Sequence, residues 1–464
     1  MKTEILLDHE PANDGAAYVV RALLRLHGDP PTADDRVPLN IGIVLDRSGS
    51  MAGAPLEAAK EAAALLVRRL APVDVVSVVA YDDAVRTVAE PATGDAQHDL
   101  IGRIHAIRSG GCTNLSGGWL RGRDLVAASK RDGATHRLLL LTDGLANVGI
   151  TDPDRLVGLC RNAREAGIVT TTIGFGPDYD EVLLRRMAEA GGGSMYYIER
   201  PDQAPAVFAE EIDGLLSLRA QNIAVEIRPA AAARLACVHH RYPSEPLDDG
   251  LRLELGDLYA RDPRVLLAEF LVVPGEPAAA GAHGAPRATG APAGTGASAA
   301  PGTPAGAVDV AELTLTAHVV AENGSIERRE IRLPIRASLA EGPRVDPDVR
   351  RELLLQEAAR AREAAYEAQR RGDDDAAGGL LREAAEHLAL EDLVDPELLE
   401  EAADLAGMAE LFDAGRASEA DAKYLYQRGY ARRANRRGTA RVISRKPPEP
   451  RPDAGPRGGK GAEG

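Results

Sequence analysis

Asp46-Arg47-Ser48-Gly49-Ser50 follows directly on the apolar run Leu39-Asn40-Ile41-Gly42-Ile43-Val44-Leu45. One carboxylate and two hydroxyls, two residues apart, stand where a buried strand gives way to a turn. Hard oxygen donors of this kind suit a small divalent cation such as Mg²⁺. Two later segments add to the set. Gly110-Gly111-Cys112-Thr113-Asn114 offers a hydroxyl in a glycine-rich loop, and Leu138-Leu139-Leu140-Leu141-Thr142-Asp143-Gly144 offers a second carboxylate after a second apolar strand. Taken singly, Asp46 and Asp143 read equally well as turn residues or helix caps. Their order, and the strands before them, favour a shared site.

The elements that must position these residues follow from hydrophobic patterning. Residues 37–216 alternate strand and helix: strands at 39–45, 73–81, 84–89, 137–142, 168–175 and 195–198, helices at 55–70, 95–107, 115–129, 153–166, 181–190 and 204–216. Such alternation predicts an α/β fold with a doubly wound, mainly parallel sheet. In an open sheet of that kind ligands bind outside the carboxyl ends of the strands. Asp46 and Asp143 each follow an apolar strand and should both reach that edge, with neighbouring glycines allowing tight turns.

These motifs resemble the metal-ion-dependent adhesion site of von Willebrand factor A (VWA) domains, in which DxSxS is followed by a Thr and then an Asp. All five positions are filled here. The resemblance implies a metal set of Asp46, Ser48, Ser50, Thr113 and Asp143, holding Mg²⁺ with Mn²⁺ as the alternative. It further implies a coordination position that an acidic residue of a partner protein fills, and a non-catalytic protein-binding module or scaffold of the intracellular bacterial type. Ring ATPases and kinase or phosphatase signalling components are the partners the resemblance suggests. The one departure is Cys112, beside Thr113, where a small hydroxyl residue is common; the ligand set is intact.

Outside residues 37–216 the chain changes character. Residues 1–36 hold two strand-like runs, at 4–7 and 17–26, without a partner nearby. Residues 217–340 read as a β-sandwich, with strands at 221–228, 251–255, 264–273, 310–321 and 327–335,. The N-terminal strands are expected to complete that sandwich, which makes the α/β unit an insertion within it. An Ala/Gly/Pro-rich stretch at 275–307 cannot bury enough apolar surface to order itself and is expected to be a disordered loop. Residues 345–434 form four helical runs, expected as a bundle packed on the sandwich, one hairpin of which is weakly tetratricopeptide-like. Residues 435–464 are a basic tail expected to be disordered: from Arg428 onward there are 11 Lys/Arg against 3 Asp/Glu, in a chain of net charge -16,.

Composition narrows the function. At 464 residues several units are expected, and with 3% aromatic residues their cores must be built from Val, Leu, Ile and Ala,. Three scattered cysteines, Cys112, Cys160 and Cys237, make neither a disulfide framework nor a zinc pattern,. The N-terminus lacks an apolar signal region and no run approaches the length of a membrane span, so a cytoplasmic protein without membrane contact is expected. The tail lacks interleaved aromatics, so nucleic acid is not an expected partner. Signatures of nucleophilic hydrolases, P-loop enzymes and zinc proteases are absent, and the chain is not expected to be an enzyme. The alternatives are a Mg²⁺-dependent hydrolase at the same ion, with Asp82, Asp83 or Asp143 as base, and metal-dependent self-association. Asp82 and Asp83 otherwise form a polar turn, Trp119 a core anchor, and His239 and His240 surface residues.

Overall fold

The computed structural model describes residues 1–12, 17–29, 36–93, 97–176, 179–260, 262–273, 307–321, 325–339, 342–390 and 395–435. Apart from residues 307 and 435, the Ala/Gly/Pro stretch and the basic tail lie outside these.

The central element is a six-stranded sheet. In chain order its strands are β3 (Leu39–Asp46), β4 (Val75–Tyr81), β5 (Val85–Thr93), β6 (Thr135–Thr142), β7 (Ile168–Phe175) and β8 (Gly192–Ile198). Their spatial order is β5-β4-β3-β6-β7-β8, and all run parallel except β5, which returns against β4. β3, β4, β6 and β8 are buried at every position, because helices cover both faces; that is why β3, β4 and the Leu138–Leu141 part of β6 read as largely apolar runs rather than alternating ones,. Ile41, Ile43 and Leu45 share a core with α1 (Ala54–Arg69), α2 (Gln97–His105) and α6 (Ala204–Leu216). Val44, Leu138 and Leu140 face α3 (Leu115–Ala128), α4 (Pro153–Glu165) and α5 (Glu181–Gly191). α3 lies unusually close to β3: a Cβ on Gly122 would stand 2.4 Å from Val44 Cγ2, and one on Gly42 2.7 Å from Val126 Cγ2. Glycine at both positions lets the helix that follows Thr113 approach the strand that carries Asp46.

Two further sheets form a sandwich. One has the order β1-β2-β13-β10, from β1 (Lys2–Pro11), β2 (Tyr18–His27), β10 (Ala233–Val238) and β13 (Arg264–Val272). The other has the order β11-β12-β9-β14-β15, from β9 (Leu218–Pro229), β11 (Ser244–Leu247), β12 (Gly250–Tyr259), β14 (Val308–Val320) and β15 (Ile326–Ala337). Val20, Leu24 and Phe270 of the first sheet meet Val225, Leu255 and Leu315 of the second in one apolar core. β2 pairs antiparallel with β13, Val20 opposite Phe270. The chain thus starts the sandwich, leaves it for the six-stranded sheet, and returns. β10 and β11 were not apparent as strands in the sequence; both are short and only partly buried.

The last four described elements are helices α7 (Pro347–Arg370), α8 (Asp374–Leu390), α9 (Pro396–Asp413) and α10 (Glu419–Arg433). They pack on the sandwich, where Val349 and Leu353 meet Leu23 and Leu267. They also pack on the six-stranded unit, which the sequence reading did not anticipate: Lys423 Nζ donates to Tyr179 O at 3.0 Å and Tyr366 OH to Glu181 Oε1 at 2.5 Å. His239 and His240 are a second correction. Neither is on the surface; they are 5% and 4% exposed. His240 is covered by α7, with Nε2 3.2 Å from Glu352. A distant helix, not the local sequence, decides their burial.

Candidate metal centre

Parallel register brings the ends of three strands level. Asp46, the last residue of β3, lies opposite Tyr81 at the end of β4, and Leu45 opposite Leu141 of β6. Asp46 is fully buried. Its Oδ1 accepts the Ser48 backbone N–H at 2.8 Å, which closes the turn out of the strand,. Its Oδ2 accepts Thr142 Oγ1 at 2.6 Å and, at the limit of hydrogen-bond distance, Tyr81 OH at 3.5 Å. All these donors are neutral. Burial therefore raises the Asp46 carboxyl above its ordinary value, and the hydrogen bonds from Ser48, Thr142 and Tyr81 only moderate the rise,.

Hydroxyls link the two carboxylates. Ser48 Oγ and Ser50 Oγ are 3.2 Å apart, and Ser50 Oγ donates to Asp143 Oδ1 at 2.8 Å. Ser48, Thr113 and Asp143 are buried and Ser50 is exposed, so the cluster opens to solvent at Ser50. Thr113 joins it across Gly144: a Cβ there would stand 3.2 Å from Thr113 Oγ1 and 3.8 Å from Ser50 Oγ. The structure thus brings Asp46, Ser48, Ser50, Thr113 and Asp143 to one place at the carboxyl edge of the sheet.

The loop that carries Thr113 is clamped from both sides. Gly49 N–H donates to Gly111 O at 2.9 Å and Gly110 N–H to Arg47 O at 2.7 Å. Asn114 caps α3 by accepting Gly117 N–H at 2.9 Å,. The Thr113 carbonyl accepts from Asn147 and Val148 at 3.1 Å, tying this loop to the one after Asp143. Asp82 is the central fastener. Its carboxylate accepts from Gly111 N at 3.1 Å and Ala84 N at 2.8 Å, and pairs with Arg47 at 2.5 Å. Burial opposes its charge, yet these N–H groups and the Arg47 guanidinium hold the carboxyl below its ordinary value. Gly110 has to be glycine here, since a Cβ would fall 1.8 Å from Asp82 Oδ2.

Asp82 therefore fastens the loops, with its charge already engaged by Arg47. Cys112 is exposed on the same loop, and Trp119 is fully buried beneath it with Nε1 3.3 Å from Thr170 Oγ1. The sequence reading missed Thr142, Tyr81 and Arg47. Thr142 stands next to Asp143 and Arg47 inside the DxSxS stretch, so adjacency was the available signal; nothing local pointed to Tyr81. The donor set consists of carboxylate and hydroxyl oxygens, and its buried carboxylate is held by neutral groups. Both features fit a hard divalent cation, whose charge would offset the burial of Asp46. Residues 40–210 match the family model of the von Willebrand factor type A domain.

The chain belongs to the von Willebrand factor type A family. The chain sits among relatives of varied length. It is 32% identical over 285 residues to the uncharacterized protein sll0103 of Synechocystis sp., spanning 59% of this chain and 67% of that one. It is 28% identical over 190 residues to the uncharacterized protein YfbK of Escherichia coli, spanning 40% and 33%. With human inter-alpha-trypsin inhibitor heavy chain H3 it shares 30% over 160 residues, 33% of this chain and 18% of that one. The match thus spans a third or less of these last two. Among solved structures, a von Willebrand factor type A protein from Catenulispora acidiphila superposes with a TM-score of 0.66 at 19% identity, covering 94% of this chain and 97% of the other. The ArnB paralog VWA2 from Sulfolobus acidocaldarius gives 0.56 at 16%, covering 94% and 99%. At these identities the likeness is one of fold, and it extends beyond the VWA domain to the sandwich and helices.

Proposed function

We propose that this chain is a metal-dependent protein-binding module rather than an enzyme. Asp46, Ser48, Ser50, Thr113 and Asp143 would hold Mg²⁺, or Mn²⁺ in its place, and an acidic side chain of a partner protein would complete the site. The observation that carries this reading is the linked set of oxygen donors, Asp46–Ser48–Ser50–Asp143, buried at one end and open to solvent at Ser50. Proteins of the VWA family act as metal-dependent interaction modules. When bound, the ion supplies positive charge and a free coordination position.

The chain's own residues would do the rest. Thr142 and the Ser48 N–H orient the Asp46 carboxylate, and Asp82 with Arg47 holds the Thr113 loop against Gly49. Leu145, 50% exposed, stands one residue beyond Gly144 and offers apolar surface for a partner beside the polar site,. No helix among the described residues is long and apolar enough to cross a membrane.

The test has two parts on the full chain. Calorimetric titration with Mg²⁺ and Mn²⁺ should give binding that Asp46→Ala abolishes while the circular dichroism spectrum is retained. Affinity capture from native lysate should then retain partners with the parent in Mg²⁺ and lose them in EDTA or with Asp46→Ala. The same partners in all three samples would overturn metal-bridged capture.

A further inference from the structure

A second group of metal-ligating side chains lies away from the VWA domain, in the seam between the four-stranded sheet and α7. Cys237 is in β10, directly opposite Glu269 of β13, after a β-bulge between Leu235 and Cys237 that resets the register,. Glu269 in turn lies opposite Arg21 of β2, and Arg21 opposite Asp8 of β1. His239 follows two residues after Cys237, which returns its side chain to the same face; its backbone N–H is fixed on Leu267 O at 2.9 Å. His239 Nε2 is 3.5 Å from Cys237 Sγ and 3.5 Å from Glu269 Oε2. The three ligand atoms all lie within 4.8 Å of one another, the one such group of His, Cys and carboxylate side chains among the described residues.

We propose that Cys237, His239 and Glu269 form a second metal site, for a borderline-soft divalent ion such as Zn²⁺. Tetrahedral zinc with nitrogen at about 2.0 Å and sulfur at about 2.3 Å separates those two atoms by about 3.5 Å, and a nitrogen–oxygen pair by slightly less. Both observed separations from Nε2 therefore need little movement to close on one ion. Thiolate, imidazole and carboxylate together select a transition metal over Mg²⁺, so the two sites of this chain would not compete for the same ion. A thiolate and a carboxylate match the charge of a divalent ion. Cys237 and Glu269 are partly exposed and His239 is buried, which leaves an entry path over a fixed nitrogen.

Two guanidinium groups border the site and set its strength. Arg21 holds Glu269 at 3.0 Å but is also paired with Asp8 at 3.1 Å and Glu10 at 2.6 Å, so it keeps counter-charges when Glu269 turns to an ion. Arg360 of α7 is different. Its Nη2 lies 3.1 Å from His239 Nδ1, and a guanidinium only donates, so that contact places the ring proton on Nε2. Ion binding moves the proton to Nδ1, and Arg360, which is partly exposed, swings away. The ion and Arg360 thus compete for His239, and occupancy of the site loosens one tie between the sheet and α7.

The test uses the full chain carrying Asp46→Ala, with Co²⁺ as a spectroscopic probe. One equivalent of Co²⁺ should give a thiolate-to-cobalt charge-transfer band in the near ultraviolet, displaced by Zn²⁺. Cys237→Ser should remove the band and Cys112→Ser should keep it; Cys160 is buried with its thiol pushed up to about 12 by burial and does not compete. Arg360→Ala should tighten binding by about tenfold, the scale on which groups behind a ligand act. Absence of the band in the Asp46→Ala chain, or its survival in Cys237→Ser, overturns the site. Should Cys237→Ser fail to fold by circular dichroism, His239→Gln decides: the proposal requires weaker Co²⁺ binding, and unchanged affinity rejects it.

Discussion

Asp46 and Asp257, buried carboxylates at opposite edges of the six-stranded sheet, are held in opposite ways. At the carboxyl edge, Asp46 is fully buried among neutral donors, and burial raises its carboxyl. At the amino edge, Asp257 of β12 is also buried, and burial alone would raise it too; Arg137 of β6 and the Asn222 N–H reverse the direction and hold it below its ordinary value. Asp74 at the same edge is likewise paired with Arg36 and accepts Leu39 N–H at 2.9 Å and Ala71 N–H at 2.8 Å. The amino edge is the junction with the sandwich, where Gln221 also bonds Thr135 at 2.5 Å. A cavity of about 300 Å³ lies there, lined by Lys130, His136, Arg137, Asn222 and Asp257 among others. One edge neutralises its charges internally to join two domains. At the other, the described residues around Asp46 offer it neutral donors only.

The largest effect expected from breaking this contrast is at Arg137. Arg137→Ala leaves Asp257 buried without the guanidinium it pairs with and should destabilise the fold by about 3–5 kcal/mol, whereas the double change Arg137→Met with Asp257→Leu should recover most of that loss. Urea denaturation measures both. The matched change at the other edge, Asp46→Asn in EDTA, should cost little or stabilise, because it removes a buried charge that, among the described residues, is met by neutral donors. Equal losses at the two edges would erase the distinction.

Asp82 should rank next. Asp82→Ala removes the acceptor shared by Arg47, Gly111 and Ala84 and should cost about 1–3 kcal/mol. It should also weaken Mg²⁺ binding roughly 10–100-fold, as loss of a group that orients ligands does. Calorimetry on the Asp82→Ala chain checks this. Unchanged ion affinity would mean that the Thr113 loop holds its place without the fastener.

The smallest expected effect is a pH dependence at the amino edge. Burial, with Lys130, Arg131 and Arg137 nearby, pushes His136 down to about 4 from an ordinary 6.5. Below pH 6.5 the unfolded chain takes up a proton that the folded chain refuses, so this contribution is full above pH 6.5 and is lost as pH falls toward 4. At pH 5.5 the loss should be about 1 kcal/mol. Melting curves of parent and His136→Gln should diverge over that window, the parent losing more as pH falls. Parallel curves would show that His136 titrates normally.

The readable parts of this protein share a physical cause. β3 and β6 were legible because a sheet covered on both faces demands unbroken apolar runs, and the ligand oxygens were legible because they sit within a few residues of those runs. β11 was not: it pairs with its hairpin neighbour β12, but its four residues are mostly exposed and too few to show a period. Nor were β10 and the burial of His239 and His240, since each depends on a partner far along the chain: β10 on β13, His240 on Glu352 of α7. The same holds for Tyr81, which reaches Asp46 only through strand register, and for the helices, whose contacts with Tyr179 and Glu181 no local pattern announces.

By itself, then, the sequence determined most of the elements and the oxygen donors, because periodicity, turn chemistry and donor type are local properties. Only the tertiary structure decided which charges meet. It set Arg137 on Asp257, left Asp46 among neutral groups, and carried Cys237, His239 and Glu269 together under α7. Pairing of that kind is fixed by strand register and helix packing between residues tens to hundreds of positions apart, and no short stretch of chain encodes it.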